Sequence, residues 1–162
     1  FEGCGNKNWM IRPNMLIAIG LHFSPLTDLM KSQIMQIVND ELFTPHGIRT
    51  LSPRHEEYCN VCSHNYNDIG LTLHQGSAFP WLLMFYSQAT MNILGEKNGI
   101  KKLKEIVKDF EPDLTENGVG TISQYYDGNP PYDGGGTISH ATSVAALLKI
   151  ANTIANYDKN NI

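Results

Sequence analysis

The sequence predicts an all-α fold whose helices are joined by long loops, and three observations carry that prediction. Apolar residues recur at steps of three and four in several separated stretches. Two-residue alternation persists nowhere. Glycine, proline and small polar residues collect in long runs between the periodic stretches. With 162 residues, 41% of them hydrophobic and 17% charged, the chain reads as a single globular region without internal repeats.

Each helix has its own local reason. A short one starts at Pro13 and runs through Met15 to Leu21. Leu26, Leu29, Met30, Ile34, Ile37, Val38 and Leu42 then form one stripe, with Ser24 as the expected cap and Pro25 in the first turn. Ser77 to Leu94 is apolar nearly all round, which predicts a helix buried on several sides, and Pro80 is tolerated in its first turn. Ile100, Leu103, Ile106, Val107 and Phe110 mark another helix, ended by Pro112. The last runs from Thr137, its expected cap after Gly134-Gly135-Gly136, to about Tyr157.

Charge and run length narrow the partners. A net charge of -4 leaves no basic stripe to displace counterions from nucleic acid or an anionic membrane. Lys101, Lys102 and Lys104 sit among Glu105 and Asp109, as on a solvated helix face. The longest apolar run, Trp81 to Tyr86, is far short of the ~18 residues of a membrane span. An odd, small cysteine count points to a reducing cytoplasm rather than a disulfide scaffold. Cys59 and Cys62 have zinc-knuckle spacing, with His64 near and Cys4 distant, but a second matched pair is missing, so neither metal nor cofactor is expected. The chain opens on Phe1 without an initiator Met and reads as a piece of something longer.

The stretch Leu73-His74-Gln75-Gly76-Ser77-Ala78-Phe79-Pro80-Trp81 is the most suggestive of a binding site. Neutral hydrogen-bonding groups beside flat apolar rings suit a ligand with many hydroxyls and apolar ring faces, and a sugar fits that description. Two other loops hold unusual residues, Phe43 to Pro53 and Gly120 to Gly136. Alternatives stay open for each residue. His74 and Gln75 either cap the following helix or contact sugar, and Trp81 is either core or a stacking platform. Arg49 is either a surface ion-pair partner or a fork of donors aimed at hydroxyls or a carboxylate. Of Tyr125 and Tyr126, one can face sugar and the other the core. Asp127 with Gly128 has the form of a turn-fixing pair.

Arg12-Pro13-Asn14, Thr44-Pro45-His46-Gly47-Ile48-Arg49-Thr50-Leu51, His74-Gln75-Gly76-Ser77 with Pro80-Trp81, and Tyr126-Asp127-Gly128 occur in order along nearly the whole chain. In that order and approximate spacing they resemble the carboxyl-terminal amylo-α-1,6-glucosidase domain of the glycogen debranching enzyme family. The resemblance implies the carboxyl-terminal half of an (α/α)6 toroid of the glucoamylase kind. It also implies hydrolysis of α-1,6-glucosidic branch points of glycogen or related glucans, with an amino-terminal half of the same domain as partner. Half a toroid leaves apolar helix faces uncovered, so self-association is expected as well.

The implied reaction is inverting and needs two carboxyl groups roughly 6.5 to 9.5 Å apart, one protonating the leaving oxygen and the other activating a water. The resemblance puts the acid upstream, where this chain offers no counterpart. It puts the base three residues before Asp127-Gly128, where Gln124 stands. An amide orients a water but does not take its proton. Gln124 therefore marks a sugar-binding relative without hydrolysis, an engineered trap, or a site in which Asp127 acts instead. Phe79 stands where the family prefers Trp, and His140 and Thr142 where it usually has Gln and Trp. The competing classes are thus a debranching hydrolase, a non-catalytic α-glucan-binding domain, and a zinc-stabilised interaction module built on Cys4, Cys59, Cys62 and His64.

Overall fold

The computed structural model describes residues 8–61, 69–116 and 118–161. Helix α1, Asn14–Gly20, follows Pro13, whose fixed φ presets the first turn. Helix α2, Asp28–Ile37, tightens no further but widens into a π-turn over Val38–Leu42. Its cap is Thr27, whose side chain accepts from the Met30 N–H at 3.3 Å, and not Ser24, which serves Leu26 in the loop. The predicted stripe is only partly turned inward. Met35, Val38 and Leu42 are buried, whereas Leu29 is 70% exposed, because α2 packs on α1 and on the long helix that begins at Leu83 along one side only.

A short strand and a 3-10 turn, Pro80–Leu82, lead into α4, Leu83–Asp109. Gly95 breaks α4 at φ 73°, ψ 170°, a conformation open to glycine and strained for side chains, so the two helices predicted to either side of residue 95 are distinct arms meeting at a kink. After the single turns α3, Ile69–Thr72, and α5, Asp113–Glu116, the chain ends on α6, Ala141–Asn160. That helix starts four residues beyond the expected Thr137. His140 occupies its N-cap, and Thr137 is engaged with Gln124 instead.

The all-α expectation needs correction. About 54% of the described structure is helical, but five very short strands form an antiparallel sheet in chain order. These are β1, Phe43–Thr44; β2, Gly47–Arg49; β3, Ala78–Phe79; β4, Tyr125–Tyr126; and β5, Gly134–Gly135. Strands of two or three residues are too short to display alternation, which is why periodicity was blind to them. The register pairs Ile48 with Phe79, Arg49 with Ala78, Ala78 with Tyr126, and Tyr126 with Gly134. The sheet therefore gathers the loops in which the unusual residues lie.

Helix α4 packs against α1 and α6, and the core between helices and sheet contains Leu16, Leu42, Ile48, Leu103, Phe110 and Ile150. Tyr86, 1% exposed, stacks on Phe43 at 4.8 Å and donates its hydroxyl to Asn39 Oδ1 at 2.8 Å. Burial pushes the Tyr86 phenol up to about 12. Burial and the neighbouring Asp113 charge push Tyr126 up as well. Among the described residues, no helix is long and apolar enough to cross a membrane.

Two measurements check this account. Thr27→Ala is expected to lower stability by about 1 kcal/mol in chemical denaturation, and Ser24→Ala by no more than a few tenths, roughly, because only Thr27 caps α2. Equal losses would contradict the assignment. Both tyrosines hold their protons more tightly folded than unfolded, so their stabilisation is complete below pH ~10 and lost as pH rises through the folded values. Stability should fall above pH ~10, with Tyr86→Phe removing about 3 kcal/mol of that decline. An alkaline limb unchanged by Tyr86→Phe would refute it.

Candidate functional site

The sheet brings three distant loops to one place, and side chains then lock them. Thr44 Oγ1 donates to the Gly47 carbonyl at 3.0 Å and accepts from the His46 N–H, closing the β1–β2 turn. Gly76, at φ +152°, lies so close to the Cys59 carbonyl that a Cβ would collide with it. Its N–H donates to Thr50 Oγ1 at 2.9 Å, which seats the His74 segment against the β2 loop. Arg12 completes that seat. Its guanidinium donates to the Thr50 carbonyl at 3.1 Å, the His74 carbonyl at 2.7 Å and Gln75 Oε1 at 2.7 Å.

Two clefts open beside this framework. The larger, about 480 Å³, is lined by Phe79, Trp81, Met84, Gln124, His140, Thr142, Ala145 and Ala146. The smaller, about 250 Å³, is lined by Arg12, Pro13, Asn14, Ile17, Thr50, His74, Phe79, Trp81 and Leu82. Sizes of this order, with apolar walls and a few convergent polar groups, suit small ligands.

Gln124 belongs to the larger cleft. Its Oε1 accepts both the N–H and the hydroxyl of Thr137, each at 3.2 Å, while its backbone N–H donates to the Thr137 carbonyl at 3.0 Å. The amide nitrogen has no protein partner among the described residues. His140 Nδ1 lies 2.9 Å from Thr142 Oγ1 and 3.3 Å from Ser143 Oγ, which fixes the imidazole at the start of α6. The three positions singled out as departures from the family, Phe79, His140 and Thr142, thus line one cleft with Gln124.

The other expected site residues divide between lining and support. Trp81 lines both clefts, and His74 lines the smaller one with its ring 6.3 Å from Phe79 and nearly parallel. Gln75 does not cap the following helix. Held by Arg12, it donates to Glu57 Oε2 at 3.1 Å. Arg49 meets no carboxylate among its hydrogen bonds. It donates to the backbone carbonyls of Gly128 at 2.7 Å, Glu41 at 3.1 Å and Phe43 at 3.4 Å, tying β1, β2 and the turn after β4 together.

Tyr125 and Tyr126 are 3% and 1% exposed and line neither cleft, so neither is an open wall. Tyr126 stacks on His46 at 4.8 Å, and Tyr125 meets Phe79 at 6.2 Å from behind the cleft. Asp127 lines neither cleft and is itself partnered, with its N–H donating to the Asp133 carbonyl. A separate polar recess holds His46, Asp109, Asp113 and Asp133, with His46 Nε2 3.2 Å from Asp113. Among the described residues no three histidine, cysteine or carboxylate groups converge to hold a metal. Cys4, Cys62 and His64 of the zinc expectation lie outside the described residues, and the Cys59 thiol donates to the Val61 carbonyl.

Sequence reasoning did not find the clamp made by Arg12 or the contributions of Met84, Ala145 and Ala146. The partners of Arg12 lie 38, 62 and 63 residues away, and no linear spacing signals them. The helix residues of the cleft carry no chemistry of their own and enter by position alone.

Among curated proteins, none matches the chain. A sequence model of the family described as amylo-alpha-1,6-glucosidase matches residues 2–149. With the three loops of that resemblance assembled around one pair of clefts, the chain belongs to the amylo-α-1,6-glucosidase family, the carboxyl-terminal domain family of glycogen debranching enzymes.

Proposed function

We propose that this chain binds α-1,6-branched glucan in the Gln124 cleft without itself supplying the hydrolytic base. The observation that carries this reading is the state of Gln124. Its carbonyl is held by both donors of Thr137 within an aromatic-walled cleft, so the group at the family's base position is a fixed, uncharged amide. Its free N–H groups suit a sugar hydroxyl or a water, and it has no basic lone pair to accept the proton that inverting hydrolysis requires. Asp127, the nearest carboxylate in sequence, does not line the cleft and does not favour the role of replacement base.

In this reading Trp81 and Phe79 face the apolar surface of a glucosyl ring, while Gln124, His140 and Thr142 meet its hydroxyls. Arg49, Gln75, Tyr125 and Tyr126 act one layer behind, holding the loops in register. The helices contribute part of an (α/α)6 ring, whose other helices would bring the carboxylic acid that protonates the leaving oxygen. Exposed apolar side chains such as Phe23, at 87%, and Leu29 suit contact with those helices or with a second copy. A cytoplasmic setting accords with a glycogen-type substrate and with a Cys59 thiol that forms no disulfide among the described residues.

The test is to mix the chain with an α-1,6-branched maltooligosaccharide and follow binding by calorimetry and glucose by enzymatic assay. Saturable binding without glucose above the buffer control is expected. Robust release by the unmodified chain would overturn the non-hydrolytic reading, and its loss in Asp127→Asn would transfer the base role to Asp127. Gln124→Glu should fold with stability within about 1 kcal/mol of the parent, since a carboxylate oxygen accepts the same two Thr137 bonds.

A further inference from the structure

The polar recess beside His46 shares no lining residue with either cleft. It measures about 480 Å³, and its walls include His46, Asp109, Asp113, Tyr132 and Asp133. Successive residues of β4 turn opposite ways, so Tyr125 meets Phe79 of the cleft wall while Tyr126 stacks on His46 of the recess. The recess is therefore a separate concavity across that strand from the Gln124 cleft.

Its charge is one-sided. Three aspartates line it, from the end of α4, the start of α5 and the β4–β5 turn. Among the described residues none of the three pairs with a lysine or arginine. The one basic group in the lining is His46, and the carboxylates outnumber it even when the imidazole is charged. Asp113 is 7% exposed, and its Oδ2 is shut from solvent. Two neighbours come close to this carboxylate, the His46 Nε2 at 3.2 Å and the Tyr126 phenol, but neither donates to Oδ2 with hydrogen-bond geometry. His46 Nδ1 is likewise buried without a partner. A carboxylate deprived of water and of donors is costly unless a positive charge compensates it. In a concave site the two outer aspartates add to the same negative potential.

The form of the cation follows from the spacing of the charges and the character of the walls. Among the described residues no three histidine, cysteine or carboxylate groups converge on one point, so the negative charge is spread round the recess rather than gathered for a metal ion. Spread carboxylates match separated ammonium groups. Pro112 and Pro131 supply apolar wall for methylene groups, and Tyr132 supplies an aromatic ring for a cation to approach. Tyr132 takes that place at φ 65°, a left-handed conformation that costs a side chain free energy, with its N–H donating to the Asn129 carbonyl at 3.0 Å. We propose that this recess binds an aliphatic diammonium ion, one ammonium beside the buried Asp113 and the other at the rim with Asp109 and Asp133. The site is independent of the reading of the Gln124 cleft.

The experiment is a backbone-amide NMR titration of the full chain at low ionic strength with four probes: 1,4-diaminobutane, n-butylamine, 1,4-butanediol and magnesium chloride. The diamine is expected to shift His46, Asp113, Tyr132 and Gly134 saturably and to leave Thr142 and Ala145 of the Gln124 cleft unmoved. Butylamine should bind about fivefold more weakly, and the diol should shift nothing. Asp133→Asn, at a half-buried position, should lower diamine affinity about fivefold. Asp113→Asn should lower it about tenfold. Undiminished affinity in Asp133→Asn would overturn the site, whether or not Asp113→Asn folds. Equal shifts from the diol, or from magnesium at matched ionic strength, would overturn it too, since neither carries separated ammonium groups. So would the absence of any diamine shift at the recess residues.

Discussion

The pairing of Ala78 and Phe79 with strands on both sides is the constraint on which the rest depends. Ala78 is opposite Arg49 on one edge and Tyr126 on the other, so two residues join the β2 loop to the Gln124 loop. A ladder this short has few hydrogen bonds and has no independent stability. It persists because its buried residues share one core with those of α1, α4 and α6 and because long side chains tie the loops from outside. Arg12 and Arg49 both spend their guanidinium groups on backbone carbonyls, each bridging segments that the sheet alone holds weakly. Pinned loops of this kind carry binding groups at low entropic cost on contact with ligand.

From that constraint the character of the site follows. Phe79 is at once a strand residue, 8% exposed, and part of the wall of both clefts, so the register that fixes the sheet also fixes that part of the wall. Pro80–Leu82 then turns the chain so that Trp81 continues the wall before α4 begins. Across the larger cleft, the exchange of three hydrogen bonds between Gln124 and Thr137 links the strand edge to the approach of α6. The polar groups facing both clefts are amides, hydroxyls and imidazoles with one guanidinium, all able to hydrogen-bond hydroxyls, and no carboxylate lines either cleft among the described residues.

Legibility in the sequence tracked the range of the interactions. The arms of α4 were readable because their apolar spacing is local, and the break between them at Gly95 coincides with the predicted end at Leu94. The cap of α2 was misplaced by three residues because Ser24 before Pro25 imitates a start signal that Thr27 actually provides. The five strands were invisible, each being shorter than the period that would reveal it. Of the residues expected at the site, His74, Trp81 and Gln124 line the clefts. Arg49, Tyr125 and Tyr126 had the right loops but support the wall from behind, since their burial and partners come from other parts of the chain.

The sequence by itself determined the family and most of the helices and put Gln124 where the resemblance expects a base, because periodicity, motif order and a single side chain are one-dimensional properties. Only the tertiary structure decided that Phe79, His140, Thr142 and Gln124 share one cleft and that Arg12 holds its neighbour together. It also decided that two aromatic residues, Phe79 and Trp81, line both clefts. Those facts depend on contacts between residues dozens of positions apart, made through a sheet whose strands are too short to announce themselves. The physical reason is that pairing energy in this protein is supplied from outside the strands, by helix packing and by arginine clamps.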